Sequence, residues 1–438
     1  MNALKLPVVA AALLASLALV PRMARGAPDP IAQLTVERAV DMAVARDERP
    51  RIAGEQLASA EAGVDRARAF FFPDLAAQGG YTFRGDPGMF QHRHAYTGSL
   101  TANLTLFDGR GFPLFSAAKL ARSAAELDRI ESRRQVGFEA AGAFLSTLGL
   151  QAVVEAAQHR VTFARENLAD ARGRAAAQLA SSNDVSRAEL ELTTAQLELR
   201  RAQGDLSSGM LNLGWLLGAE LRGPLASPDA LLAAAASTSA ERGRAIGEAQ
   251  ARRPDVRSGR LRVGAAREAA REPLWRWVPS LVASGTANTT SVAGVTGKTV
   301  DWFLGLNAVW TLWDGGERLA DRDDLVAQAE AARLQSDRQT RGVALEVDTA
   351  LVSLGTARDT VTVAGAAVVA ARKNVEEART LYKQGLARAL DVADATARLF
   401  DAEVALAQER YGLGLALLNL RSALGLGPLD GGRPTEAR

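Results

Sequence analysis

The chain has no cysteine and only three histidines in 438 residues. These absences exclude disulfides, thiol nucleophiles and Cys/His metal sites. Without a cysteine after the N-terminal segment, a lipid anchor of that type is excluded as well. Aromatics are scarce at 5%, and the composition is rich in Ala, Leu, Arg and Glu, which favours long helices over sandwiches. No charge sign dominates, with 52 basic against 50 acidic residues, so there is no electrostatic footprint for nucleic acid. Beyond the N-terminus there is no apolar run long enough for a transmembrane helix. If the mature protein enters a membrane, it does so as strands.

Residues 1–26 read as a secretory signal peptide. Lys5 gives the basic flank, residues 8–20 the short apolar run, and Ala24 and Gly26 a small-residue cleavage site before Ala27. Its removal leaves 49 basic groups against 50 acidic, a nearly neutral chain.

What remains is duplicated at an offset of 206 to 207 residues. Pro73, Leu75 and Gly79 return as Pro279, Leu281 and Gly285. Thr105-Leu106-Phe107-Asp108-Gly109 returns as Thr311-Leu312-Trp313-Asp314-Gly315. Asn167 returns as Asn374, Asp184-Val185 as Asp391-Val392, and Leu217-Gly218 as Leu424-Gly425. The Pro, Asp-Gly and Asn matches separate duplication from coincidence in an Ala/Leu-rich chain. The predicted organisation is a first repeat over 27–218, a connector over 219–253, a second repeat over 254–425 and a tail over 426–438. Within each repeat a short helix (about 54–71 in the first) stops at a proline. Two strands, a long helix and a returning helix come next.

The strands are predicted at about 75–84 and 96–107, and again at 281–290 and 302–313. Residues 96–107 alternate: Tyr96, Leu100, Leu104 and Leu106 share one face, and Thr97, Thr101, Asn103 and Thr105 the other. Trp302, Leu304, Leu306, Trp310 and Leu312 repeat the apolar face. About ten to twelve residues suits a tilted transmembrane strand with interfacial aromatics. The alternative is one sheet packed on a soluble core. Four strands cannot close a barrel, for which about eight is the minimum, and open edges are not tolerated in lipid. A membrane reading therefore requires several chains; three would supply twelve strands.

The helices are predicted at about 113–178 and 184–217, then 317–384 and 391–424. The first is some 65 residues, on the order of 100 Å, more than a globular core needs. Pro113 suits its first turn. Val185, Leu192, Leu199, Leu206 and Leu213 fall seven apart, with Ala188, Ala195, Ala202 and Gly209 in the complementary seam. Val392, Leu399, Leu406, Leu413 and Leu420 repeat the large seam, and Glu409 interrupts the small one. This is a left-handed coiled-coil pattern with close helix approach. The fold class is thus mainly α with a membrane β portion.

These marks together resemble the TolC-type outer-membrane efflux factors. They comprise Leu34-Thr35-Val36 with Ala39, the Pro73 and Pro279 stops, the two Asp-Gly junctions, Tyr382-Lys383-Gln384-Gly385, Leu390-Asp391-Val392 with Asp394-Ala395, and Ser422-Ala423-Leu424-Gly425. The match covers nearly all of the mature chain. The resemblance implies a homotrimer in outer-membrane lipid, with one shared twelve-stranded barrel and a helical tunnel through the periplasm. It implies a periplasmic adaptor and an inner-membrane transporter as partners, and no cofactor. It further implies that Asp391 and Asp394 line the periplasmic entrance in rings that attract cations. Asp391 as N-cap and Asp394 near N3 also suit a helix start. Tyr382 and Asp184 match one latch that holds the entrance shut. For a second latch the matching position is Ala387, with Arg388 one step on. The first repeat has Asp184, but Arg187 stands where its second acid would fall.

No Ser-His-Asp, metal-ligand or phosphate-loop pattern is present, so an enzyme is not indicated. His159 lies within a long helix as a wall residue. His92 and His94 form an H-x-H pair in a loop without a carboxylate partner, which suits solvation better than metal binding. The competing function is a trimeric coiled-coil surface or adhesive protein on a barrel anchor, but such stalks place their strands at one end of the chain. Substrate is not encoded in these features.

Overall fold

The computed structural model describes residues 33–86, 92–292 and 298–429. The predicted signal segment and cleavage site, and most of the predicted tail, lie outside these residues. The first repeat opens with α1 (Val36–Arg46) and α2 (Glu48–Ala69), then β1 (Asp74–Phe83), β2 (His94–Phe107), α3 (Gly111–Ala176) and α4 (Ser182–Leu217). Two short helices, α5 (Asp229–Ser237) and α6 (Arg242–Arg252), lie between the repeats. The second repeat holds α7 (Pro254–Ala269), α8 (Glu272–Trp275), β3 (Ser280–Thr290), β4 (Val300–Val309), α9 (Glu317–Lys383) and α10 (Ala389–Ala423). The fold is mainly α with one small antiparallel sheet.

The four strands pair in the order β1-β2-β3-β4. The β2–β3 ladder therefore joins the two repeats within one sheet. Opposed residues share a face, so register can be read as a partition of side chains. Leu75 opposes Ala102, Tyr81 opposes Tyr96, Ala287 opposes Trp302 and Gly285 opposes Leu304. All belong to one apolar face. It is exposed in the single chain, with Trp302 at 72% and Leu304 at 79%. The other face is polar, with Asn103 opposite Ser284 and Asn307 reaching Ser284 Oγ at 3.2 Å.

β4 ends at Val309, although apolar alternation continues to Leu312. The reason is local: the Trp310 indole N–H donates to the Trp277 carbonyl at 3.1 Å. The chain then turns through Gly315 and Gly316, both left-handed (φ 72° and 95°), into α9. Asp314 accepts the Gly316 and Arg318 amides at 3.2 Å and pairs with the Arg318 guanidinium at 2.7 Å. Arg318 is only 2% exposed and stacks on Trp277 at 3.9 Å. At the equivalent junction Asp108 accepts the Arg110 amide at 3.0 Å and its guanidinium at 2.5 Å. The repeated Asp-Gly thus opens a long helix in both halves, directly after the strand in the first and five residues beyond it in the second.

Gly109 has a further reason. A Cβ there would stand 2.1 Å from Trp275 Cε3. Gly109→Ala is expected to cost about 1–3 kcal/mol through forced displacement of the indole, seen as a lower melting temperature with unchanged helix content.

The main core lies where short helices wrap the long ones. Phe144, Leu145 and Leu148 of α3 meet Leu213 and Leu217 of α4, Val343 and Val347 of α9 and Leu417 and Leu420 of α10. Val36 and Ala39 of α1, Ala235 of α5 and Val256 of α7 close it. Each large buried side chain contributes about 1.5–3 kcal/mol. Away from this collar the hairpins are held by thinner seams. Ala188, Ala195 and Ala202 are buried, while Val185, Leu192, Leu199 and Leu206 pack against them half-buried. Glu409, the break in the small seam, accepts a hydrogen bond from Thr360 Oγ1 at 2.6 Å.

Candidate functional site: the paired helical tips

Each hairpin turns back through five residues, 177–181 in the first and 384–388 in the second. Both turns need one left-handed residue. In the second it is Gly385 (φ 77°); in the first the equivalent is Gln178 (φ 60°), a side chain held in a conformation that favours glycine.

The returning helices start on matched carboxylates. Ser181 is the N-cap of α4. Its hydroxyl accepts the Asp184 amide at 3.2 Å, and Asp184 accepts the Ser181 amide at 3.0 Å, a reciprocal capping box. In α10 the N-cap is Arg388, and Asp391 stands at the third helical position rather than at the cap. The helix begins earlier than the acid suggests, because Ala389 and Leu390 already have helical geometry. Asp391 accepts the Arg388 amide at 2.8 Å and faces its guanidinium at 3.5 Å. The backbone N–H of Arg388 holds the Asp391 carboxyl below its ordinary value of 3.8, and that of Ser181 does the same for Asp184. Asp394, expected near the third helical position, stands at the sixth because α10 already starts at Ala389; it lies on the same side of the helix as Asp391 and is exposed.

Between the tips of α4 and α10 lies a groove of about 350 Å³ lined by Asn167, Arg187, Glu191, Tyr382, Leu390 and Asp394, among others. It brings Tyr382 and Asp394 of the second repeat to Arg187 of the first. The Tyr382 hydroxyl is buried there without a hydrogen-bond partner among the described residues. The Asp184 carboxylate is engaged by Ser181, also through its hydroxyl at 2.9 Å. Among the described residues Tyr382 and Asp184 are therefore not linked within one chain, and Arg388 pairs with Asp391.

Three arginines that sequence reading does not single out join the hairpins. The Arg174 guanidinium donates to the Tyr382 and Lys383 carbonyls at 2.5 and 3.0 Å and lies over the Tyr382 ring at 4.7 Å. Arg379 pairs with Glu166 at 3.2 Å over Phe163. Arg160, largely buried, pairs with Glu191 at 2.9 Å and with Glu198, over Phe400. Arg160 and Arg174 stand among several other arginines of α3, and Arg379 among those of α9, so no local signal sets them apart. At the opposite end of the molecule His94 is not in the loop but opens β2, paired with Phe83; the Tyr81 hydroxyl and His94 Nδ1 share a hydrogen bond of 2.7 Å, and His92 is exposed in the preceding loop.

Long helical hairpins rooted in a sheet whose apolar face is bare define a class: membrane ducts built of strands above and helices below. The outer membrane efflux protein family model matches residues 40–219 and 245–426, and the chain belongs to that family. It is a duct protein of an efflux system. Among solved structures, CusC superposes with a TM-score of 0.80 at 18% identity, covering 90% of this chain and 92% of CusC. VceC of Vibrio cholerae gives 0.76 at 20% identity, with coverage of 90% and 96%. The Campylobacter jejuni CmeC outer membrane channel gives 0.76 at 16%, with coverage of 91% and 87%. At such identities the likeness is one of fold. No curated protein sequence matches.

Proposed function

We propose that three copies of this chain close one passive duct, with a β-barrel in the outer membrane and a helical tunnel in the periplasm. A periplasmic adaptor delivers substrate to it, and an inner-membrane transporter supplies the energy. The observation that carries this reading is the sheet itself. It is apolar and exposed on one face and ends in β1 and β4, each with one unpaired edge. Lipid accepts the face but not the edges, so β4 of one copy must pair with β1 of the next. The helical wall repeats the pattern. α4 packs on α3, α3 on α10 and α10 on α9, which leaves α4 and α9 on the flanks. Both flanks carry exposed apolar rows: Leu190, Leu197, Leu211 and Trp215 on α4, and Leu345, Val352, Val363 and Val369 on α9.

In this assembly the tips form the periplasmic gate. Asp391 and Asp394 become two rings of three carboxylates, and Tyr382 with Asp184 and Arg388 supplies polar links that hold the tips together. The unpaired Tyr382 hydroxyl supports this, because a buried phenol without a partner is costly unless another arrangement satisfies it. Tyr382→Phe removes nothing that the hydroxyl holds in the single chain. Combined with Asp184→Ala it is expected to raise single-channel conductance in planar bilayers. Conductance equal to that of the unmodified channel would remove the latch.

A further inference from the structure

Once the apolar face of the sheet is given to lipid, its register fixes the inner wall of the membrane segment, an assignment that rests on the shared-barrel reading. The wall carries hydroxyls and amides, such as Gln78, Thr101, Asn103, Ser284, Thr286 and Asn307, with Val282 and Phe303 interspersed among them. Across all four strands the only residues with a formal charge are Asp74 and Asp301. Register places both on the wall. Asp74 opposes Asn103 and accepts its amide N–H at 3.3 Å. Asp301 opposes Asn288, which opposes Ser99, which opposes Gln78. No strand carries lysine or arginine. Basic side chains at the loop end, Arg84, Arg93 and Lys298, lie past the strand ends. The two acid rows are four residues apart along β1, or about 13 Å.

We propose that Asp74 and Asp301 form two carboxylate rings inside the barrel and act as a cation-selecting filter of the membrane segment, separate from the tip acids. Three chains place six carboxylates on a wall whose strands carry no lysine or arginine, inside a lipid-clad pore. Such rings raise the local concentration of mobile cations and exclude anions. The tips lie at the far end of the long helices, well beyond a screening length of about 8 Å at physiological salt. The two filters therefore act in series and independently.

The absence of cysteine makes the test clean. The full-length protein is reconstituted in planar bilayers under a KCl gradient. Asp74→Asn with Asp301→Asn is expected to shift the reversal potential toward zero, and to do so also when Asp391 and Asp394 have already been changed to asparagine. Asp301→Cys, exposed to a cationic thiol reagent, is expected to lose current in three discrete steps, one for each copy. An unshifted reversal potential in the double variant would overturn the filter. A conducting Asp301→Cys channel indifferent to the reagent would overturn the placement of that residue in the lumen. Failure of the unmodified protein to form channels would instead defeat the shared barrel, and the filter with it.

Discussion

Arginine at Leu304 is expected to abolish assembly, whereas arginine at Asn307 is expected to leave it intact. The two positions lie three residues apart on β4, on opposite faces of the sheet. Leu304 sits at the middle of the strand, fully on the apolar side opposite Gly285. A cation at the mid-plane of a bilayer costs about 2–4 kcal/mol on a barrel's lipid face. Three copies bring the cost to roughly 6–12 kcal/mol by simple addition, which is comparable to the whole stability of an ordinary domain. Asn307 faces the polar side and touches Ser284; a longer polar side chain there alters the pore and not the lipid contact. The contrast discriminates sharply. On a soluble sheet, a side chain as exposed as Leu304 would tolerate arginine within about 0.5 kcal/mol. The readout is the amount of oligomer in the outer-membrane fraction. Equal amounts for the two variants would count against the lipid-facing assignment.

The second large effect concerns the tips. Changing Asp391 and Asp394 together to asparagine is expected to remove most of the entrance's preference for cations. Alanine would serve less well, because Asp391 also accepts the Arg388 amide at the start of α10. Losing that hydrogen bond costs about 0.5–1.5 kcal/mol and would loosen the turn while removing the charge. Asparagine keeps an acceptor at that position. Asp394→Asn alone leaves that hydrogen bond untouched and isolates the charge. The pH dependence has a defined sign. The carboxyl of Asp391 is held below 3.8 in the folded chain by the Arg388 N–H. The stability it contributes is therefore complete above 3.8 and is lost as pH falls through the lowered folded value. Cation preference from Asp391 should persist to pH values at which an ordinary aspartate is already protonated. A double-asparagine channel with the reversal potential of the unmodified protein would remove the gate role.

Much of this architecture is visible in sequence because it is periodic. Alternation from Tyr96 to Leu106 marks one face of β2, the seven-residue spacing from Val185 to Leu213 marks the seam of α4, and both return in the second repeat. Where periodicity and geometry part, the sequence misleads. Alternation runs on through Trp310 and Leu312, but the Trp310 indole is tied to the Trp277 carbonyl and the strand stops at Val309. Asp391 has the chemistry of an N-cap, yet Ala389 and Leu390, which carry no start signal, are already helical. The pairing of Gly109 with Trp275, and of Arg174 with the carbonyls of Tyr382 and Lys383, joins residues far apart in the chain. Nothing local records them. The tip groove is of the same kind: its lining comes from α3, α4, α9 and α10, and only the folded wall brings Arg187 beside Tyr382 and Asp394.

The shared duct requires that each chain be completed by two further copies. Native mass measurement of the full-length protein, extracted in mild detergent from the outer-membrane fraction of cells that express it, tests this most directly. A species of three processed chains is the predicted result. A single processed chain recovered from the soluble periplasmic fraction would contradict it.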